Sequence, residues 1–184
     1  MFTRGQVTLR PVEWSDRDTM YPWHCDAELE MLSGWGPRRG RTTYETKFRE
    51  FLGNPPDDLV VFGIEHDGRL VGRIELSEID REHGRAALGL IVGDSDMRGR
   101  GIGTGAVILM LDYAFTVLNL GRVFAHTYSF NEPARRLMTS VGFVEEGVLR
   151  NHEMHHGAPR DMVAFGMLAD EFRERHGTVL PAPG

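Results

Sequence analysis

Blocks of apolar residues recur along this chain in two lengths, and turn-forming residues separate them. Val7-Thr8-Leu9-Arg10 reads as a short strand ending at Pro11. Ser15 or Asp16 is placed to cap a helix, which Pro22 interrupts. Residues 33 to 41 hold three glycines, a proline and three arginines and read as a loop; Thr42 or Thr43 then caps a helix through Leu52. Leu59 to Glu65 and Leu70 to Leu76 flank His66-Asp67-Gly68-Arg69, an Asp-Gly hairpin signal. Ala86 to Val92 is apolar almost throughout, which predicts a strand covered on both faces. A glycine-rich turn, Gly99 to Gly105, leads into an apolar helix from Ala106 to Leu118. Then come a strand, Val123 to Tyr128, and a helix, Glu132 to Val141, stopped by Gly142. Leu149 to His155 and Met162 to Leu168 form a last hairpin around His156-Gly157-Ala158-Pro159, before a terminal helix from Ala169 to His176.

This order neither alternates strictly nor segregates. It predicts one α/β domain over residues 1–176, a mixed sheet with helices on both faces, and a frayed tail over 177–184. The length, 184 residues, suits a single core. The net charge of −6 leaves no basic surplus for nucleic acid. Cys25 is the single cysteine, which fits a reducing compartment. The first residues lack the apolar run of a signal peptide, and the longest apolar stretch, Ala106 to Leu111, is too short for a bilayer. A cytoplasmic protein with no nucleic-acid or membrane partner is expected.

The chemistry concentrates between Leu90 and Thr104, where a buried strand ends, a loop turns and a helix begins. The first N–H groups of a helix have no partner within it, and with the helix dipole they attract anions. Glycines let a phosphate approach the backbone, and Arg98 and Arg100 add positive charge. The expected ligand is a phosphate or pyrophosphate. Gly101-x-Gly103-x-x-Ala106 formally matches the dinucleotide fingerprint, but polar residues separate it from the strand, and Phe124-Ala125-His126 stands where the ribose-binding acid belongs. The Gly-Lys-Ser/Thr of a Walker loop is absent.

Arg98-x-x-Gly101-x-Gly103 resembles the pyrophosphate loop of the GNAT acetyltransferases. Val92 to Gly103 is similar to the branch containing ribosomal-protein N-terminal acetyltransferases. Asp112 to Leu120 is similar to a helix of spermidine acetyltransferases, and Asn131-Glu132-Pro133-Ala134 with Val141 to Gly147 matches the same group. Leu9-Arg10-Pro11 and Val71 to Leu76 also fit, so the resemblance spans roughly residues 7 to 170. It implies a central, mostly antiparallel sheet of about seven strands, splayed at the cofactor site, with acetyl-CoA as co-substrate and no metal. The free backbone of Ile91, Val92 and Gly93 would bind the pantetheine arm as an added strand. Arg98, Gly99, Arg100, Gly101, Ile102, Gly103 and Thr104 would hold the pyrophosphate. Asn131 would contact the cofactor arm, and it also reads as a helix N-cap. Relatives are often dimers, which implies a homodimer.

The resemblance implies direct attack of an amine on the thioester. The amine must lose a proton, and the thiolate leaves more easily if protonated. Family members commonly carry a tyrosine seven residues after the asparagine; here Met138 stands there, and a thioether cannot donate a proton. Ser140 and Tyr128 are the nearby substitutes. Glu75 occupies the position of a cleft-facing glutamate and is the leading base; its alternative is a salt bridge with Arg73 or Arg85. Glu78 and Asp80 read as solvated turn residues. Trp35, Tyr44 and Trp23 would line the acceptor pocket or pack in the core. Arg38, Arg39 and Arg41 would meet an acidic acceptor or solvate a loop, and the lack of acidic residues there argues against spermidine. His152-Glu153-x-His155-His156 has no second cluster at metal-binding spacing. The expected activity is acetyl transfer to a protein N-terminus or a small-molecule amine; the alternative is a non-catalytic acyl-CoA-binding module acting as a sensor or scaffold.

Overall fold

The computed structural model describes residues 1–33 and 40–178. Most of the expected loop over 33–41, with Trp35, Arg38 and Arg39, and the tail from residue 179 lie outside them. The strands are β1 (Phe2–Arg4), β2 (Val7–Pro11), β3 (Val60–His66), β4 (Arg69–Asp80), β5 (Arg85–Val92), β6 (Arg122–Tyr128), β7 (Val144–His155) and β8 (Ala158–Leu168). The helices are α1 (Arg17–Cys25), α2 (Ala27–Ser33), α3 (Arg41–Gly53), α4 (Ile102–Asp112), α5 (Glu132–Val141) and α6 (Ala169–His176).

Short turns build most of the sheet. Asp67 and Gly68 both take positive φ, 51° and 72°, the geometry of a primed hairpin turn joining β3 to β4. The sheet runs β1-β2-β3-β4-β5-β6-β8-β7, antiparallel at every junction except the parallel pairing of β5 with β6. Among the described residues eight strands form instead of about seven. The added one, β1, was hidden by its brevity and is held by Phe2, whose ring lies 5.7 Å from Phe62 and 5.4 Å from Tyr113.

Two cores sandwich the sheet. The main one surrounds α4, where Val107, Leu109, Met110 and Leu111 are fully buried. An all-round apolar helix fits a position between the sheet on one side and α5 and α6 on the other. Its last turn widens into a π-helical turn, Tyr113–Val117. On the opposite sheet face, α1 and α3 close a second core of Val12, Met20, Trp23, Leu29, Phe48, Leu70 and Ile91.

Three local expectations change. Pro22 does not interrupt α1, because a proline there forfeits one backbone bond while Met20 and Trp23, buried on either side of it, hold the helix down. α3 starts at Arg41 behind Gly40 rather than at a threonine cap; Arg41 pairs with Asp18 and Glu45 and fixes that first turn. β5 is covered on both faces only toward its end, where Ile91 enters the second core. Ala86 and Leu88 point into the main core, while Ala87 and Gly89, on the other face, are only half-buried.

Where β2 meets the first helical turn, Arg10 donates to Asp16 at 2.6 Å and 2.8 Å and to Glu65 at 2.6 Å. Burial disfavours the charged form of Asp16, yet the Arg10 guanidinium and the Glu13 N–H outweigh it and hold the carboxyl below the usual range.

Candidate active site

The parallel junction is short. β5 and β6 pair only at Arg85–Arg122, Ala86–Val123 and Ala87–Phe124, whereas β5 stays paired with β4 as far as Val92. Beyond Ala87 and Phe124 the two strands part. Leu88 to Val92 and Ala125 to Tyr128 become the walls of a cavity of about 830 Å³. Its end is closed by the glycine-rich turn, its floor by α5, and part of its rim by Leu29, Leu32 and Ser33 of α2.

The turn is shaped for an anion. Gly101 caps α4 in the left-handed region, with φ 79°. A Cβ there would meet no atom of the described residues within 4 Å, so the backbone angle rather than crowding demands glycine. The first bond of this turn runs from Gly105 N–H to the Gly101 carbonyl, and Ile102, Gly103 and Thr104 precede it at the positive end of the helix dipole. Arg98 braces the turn: Nε donates to the Val92 carbonyl at 3.0 Å, Nη2 to Gly93 at 3.3 Å, and Nη1 to Glu28 of α2 at 2.8 Å. Of the residues expected to hold the cofactor, Ile91, Val92, Arg98, Gly99, Gly101, Gly103, Thr104 and Asn131 line the cavity. Gly93, Arg100 and Ile102 are not among its lining residues. Gly93 abuts the Trp23 indole, Arg100 is exposed, and the Ile102 side chain is buried in the main core.

Asn131 serves two partners at once. Its Oδ1 accepts from Ala134 N–H at 3.1 Å, the N-cap bond, and its Nδ2 donates to the Leu32 carbonyl at 3.1 Å. It therefore ties the start of α5 to α2. Seven residues on, Met138 is buried at the cavity wall. Ser140 also lines the cavity, and its hydroxyl donates back to the Leu137 carbonyl at 2.8 Å.

Two carboxylates face the opening from opposite sides. Glu75 on β4 lies across Gly89, whose missing side chain makes room for it, and Arg73 sits 3.2 Å from its carboxylate. That is the Arg73 bridge that the sequence left open. On the far wall Tyr128 donates to Glu153 at 2.8 Å. Burial, then this bond, push the Tyr128 hydroxyl up to about 12. A bulge delivers Glu153: between the pairs Leu149–Met162 and Glu153–Arg160, residues 150 to 152 of β7 stand opposite Asp161 alone. Asn151 takes φ 50° there and donates its N–H to the Asp161 carboxylate at 2.8 Å. No sequence pattern announced this bulge.

Tyr44 does not line the cavity. Its ring packs 5.7 Å from Phe48 and 5.1 Å from Tyr21 in the second core, and burial pushes its hydroxyl up to about 12. Trp23 packs in the same core. The histidines of the last hairpin have separate partners: His155 meets the Met31 carbonyl at 2.9 Å and His156 the Glu30 carboxylate at 3.2 Å. Among the described residues no group of histidine, cysteine or carboxylate side chains could hold a metal ion. Acidic residues beside the cleft come from α2, through Glu28 and Glu30, upstream of residues 33 to 41, whose sequence has none.

Parted parallel strands that lead to a helix start with free N–H groups offer one ligand both an added-strand edge and an anion site, as the sequence resemblance implies for acetyl-CoA. Residues 6–144 match the family model described as an acetyltransferase (GNAT) domain. The chain is 32% identical to a spermidine N(1)-acetyltransferase of Escherichia coli over 174 residues, 94% of this chain and 91% of that one. It is 33% identical to a putative ribosomal N-acetyltransferase of Bacillus subtilis over 110 residues, 60% of each chain. A crystal structure of spermidine N-acetyltransferase from Vibrio cholerae in complex with CoA and spermine superposes with a TM-score of 0.83 at 26% identity, covering 91% of this chain and 98% of that one. The chain belongs to the GNAT acetyltransferase family and is an acetyl-CoA-dependent N-acetyltransferase that transfers acetyl to an amine.

Proposed function

We propose that the acceptor is a small cationic primary amine of the polyamine type. The observation that carries this is the pair of carboxylates, Glu75 and Glu153, on opposite walls of one cavity. Glu30 adds a third charge near Tyr128. Carboxylates hold ammonium groups, whereas an acidic acceptor would be repelled. The names of the E. coli and Vibrio relatives point the same way.

In this reading the pantetheine arm runs along the free edge of β5 at Ile91 and Val92, and Gly93 shapes the strand end. The pyrophosphate rests on the backbone from Arg98 to Thr104, and Asn131 meets the arm from the other side. Glu75 receives the reacting ammonium. Once neutral, the amine attacks the thioester carbonyl, the C–S bond breaks, and coenzyme A leaves. A thiol with a pKa of about 8.5 departs without full protonation. Of the two hydroxyls considered for the acid, Tyr128 already gives its hydrogen bond to Glu153, which leaves Ser140, turned from the Leu137 carbonyl, as the hydrogen-bond donor to the departing sulfur. We further place the enzyme in the cytoplasm as a homodimer; the exposed edge strand β7, with Val144 and Val148 open to solvent, supports self-association.

The test is release of coenzyme A thiol against an amine panel: spermidine, spermine, a monoamine and peptides with free N-termini. Polyamines should turn over fastest. Faster turnover of the peptides would move the acceptor to protein N-termini.

A further inference from the structure

The cleft is also lined by His126, a titratable group that belongs to no motif. Its place follows from the register of the parting strands. The last parallel pair is Ala87–Phe124, so two residues further on each strand are Gly89 and His126. Glu75 lies over Gly89. Side chains alternate along a strand, so His126 shares a face with Phe124 and Tyr128, opposite Val123 and Ala125 of the main core. By the same alternation Glu75 stands opposite Ile74 and Leu76 of that core. The carboxylate and the imidazole thus face one another across the mouth of the opening, on the sheet side away from α4.

We propose that His126 is the base that takes the proton from the acceptor's ammonium group. This rests on the amine-acetyltransferase reading above and adds a residue to it. Three observations support it. The ring is exposed to the cavity it lines. Its nitrogens make no hydrogen bond among the described residues; its neighbours are the rings of Phe124 at 5.7 Å and His152 at 6.3 Å. The other proton acceptors on these walls are engaged, Glu75 with Arg73 and Glu153 with Tyr128. An imidazole also titrates in the range where a base at neutral pH works best.

The charges around it are distributed on every side. Arg73 and Glu75 face it across the opening, Tyr128 and Glu153 lie deeper along the same wall, and His152 adjoins it on the bulge. Behind it the Glu146–Arg122 ion pair covers Gly166; the Arg122 hydrogen bond holds the Glu146 carboxyl below its usual range, with a smaller contribution from His126. The step balances. Neutral His126 accepts one proton from R–NH3⁺, and the freed lone pair forms the C–N bond. The tetrahedral adduct expels the thiolate and loses its second proton to it. The imidazolium returns its proton to water through the open face of the ring.

The experiment is the pH dependence of kcat/KM for the wild type, His126→Ala, His126→Gln and Glu75→Gln, with melting temperature and acetyl-CoA affinity measured alongside. Both His126 variants should fold, bind acetyl-CoA as the parent does, and lose about a hundredfold in kcat/KM at pH 7. The fall in rate on the acid side, in the imidazole range, should vanish with them and persist in Glu75→Gln. Added imidazole should restore part of the activity of His126→Ala. Variants within threefold of wild type, an acid limb that follows Glu75→Gln instead, or a loss that imidazole does not touch would overturn the proposal. A wild type inert toward every amine of the panel would overturn the acceptor reading as well.

Discussion

Arg98 of the glycine-rich turn donates to Glu28 of α2 at 2.8 Å, so one guanidinium joins the turn that closes the cavity to the helix at its rim. The contacts of Arg98 are unequal. Its bonds to the Val92 and Gly93 carbonyls satisfy the end of β5, whereas the Glu28 carboxylate is largely exposed, at 68%. Glu28→Gln should therefore change stability by less than about 1 kcal/mol. Arg98→Met should weaken acetyl-CoA binding by about tenfold or more, because it leaves two carbonyls without their donor beside the ligand. Calorimetric titration of both variants checks this.

Acetyl-CoA should raise the melting temperature of the wild type, since a ligand specific to the folded state stabilises it by about 2.7 kcal/mol at a hundred times its Kd. Gly101→Val combined with Gly103→Val should abolish that shift. Valine is strained at a φ of 79°, and a side chain at 103 presses on Leu137 and Leu90, 3.4 Å from a Cβ. A double variant that folds and still responds like the parent would remove the turn from the cofactor site.

Glu75→Gln keeps shape and polarity but loses the charge that holds an ammonium. A rise in KM for the amine of about tenfold or more is expected, with acetyl-CoA affinity unchanged. The partner Arg73 then faces the cleft without its carboxylate, so Arg73→Met in the same background should recover part of the loss. Steady-state kinetics of the single and double variants measure the coupling.

Met138→Tyr would put a phenol where relatives commonly have one. Met138 is buried, so the larger ring should cost about 1–3 kcal/mol of stability unless it turns into the cavity. A modest gain in turnover with polyamine acceptors is expected if it does. Loss of activity at unchanged melting temperature would show that Met138 packs against the acceptor.

Acid should loosen the junction of β2 with the first helical turn. The Asp16 carboxyl lies below its ordinary value in the folded chain, so its contribution is present above pH of about 4 and fades as pH falls through the lower folded value. Asp16→Asn should be less stable than wild type at pH 7, and the difference should narrow toward pH 2. Urea midpoints across that range test the sign.

Sequence rules reached the parts of this enzyme that local chemistry decides. Asn131 and Gly142 delimit α5 because capping is a matter of single residues: Gly142 takes φ 110° and Asn131 makes its N-cap bond. Asp67-Gly68 marks its hairpin for the same reason. Long-range pairing was out of reach. Where β5 stops pairing with β6, how far β7 bulges, and that Glu30 lies near Tyr128, so far along the chain, depend on contacts that no local pattern encodes. His126 illustrates the gap: one histidine in a strand carries no motif, and only the register of two parting strands sets it opposite Glu75.

Three residue pairs are all that join β5 to β6, and the rest of that seam is left for a guest. Under the proposed binding mode the co-substrate fills the missing rungs, so the sheet is whole only while coenzyme A is in place. Every turnover then ends by withdrawing a strand. Amide hydrogens of Leu88 to Val92 that point away from β4 should exchange quickly in the empty enzyme and slowly in the loaded one, and product release becomes the unzipping of a ladder.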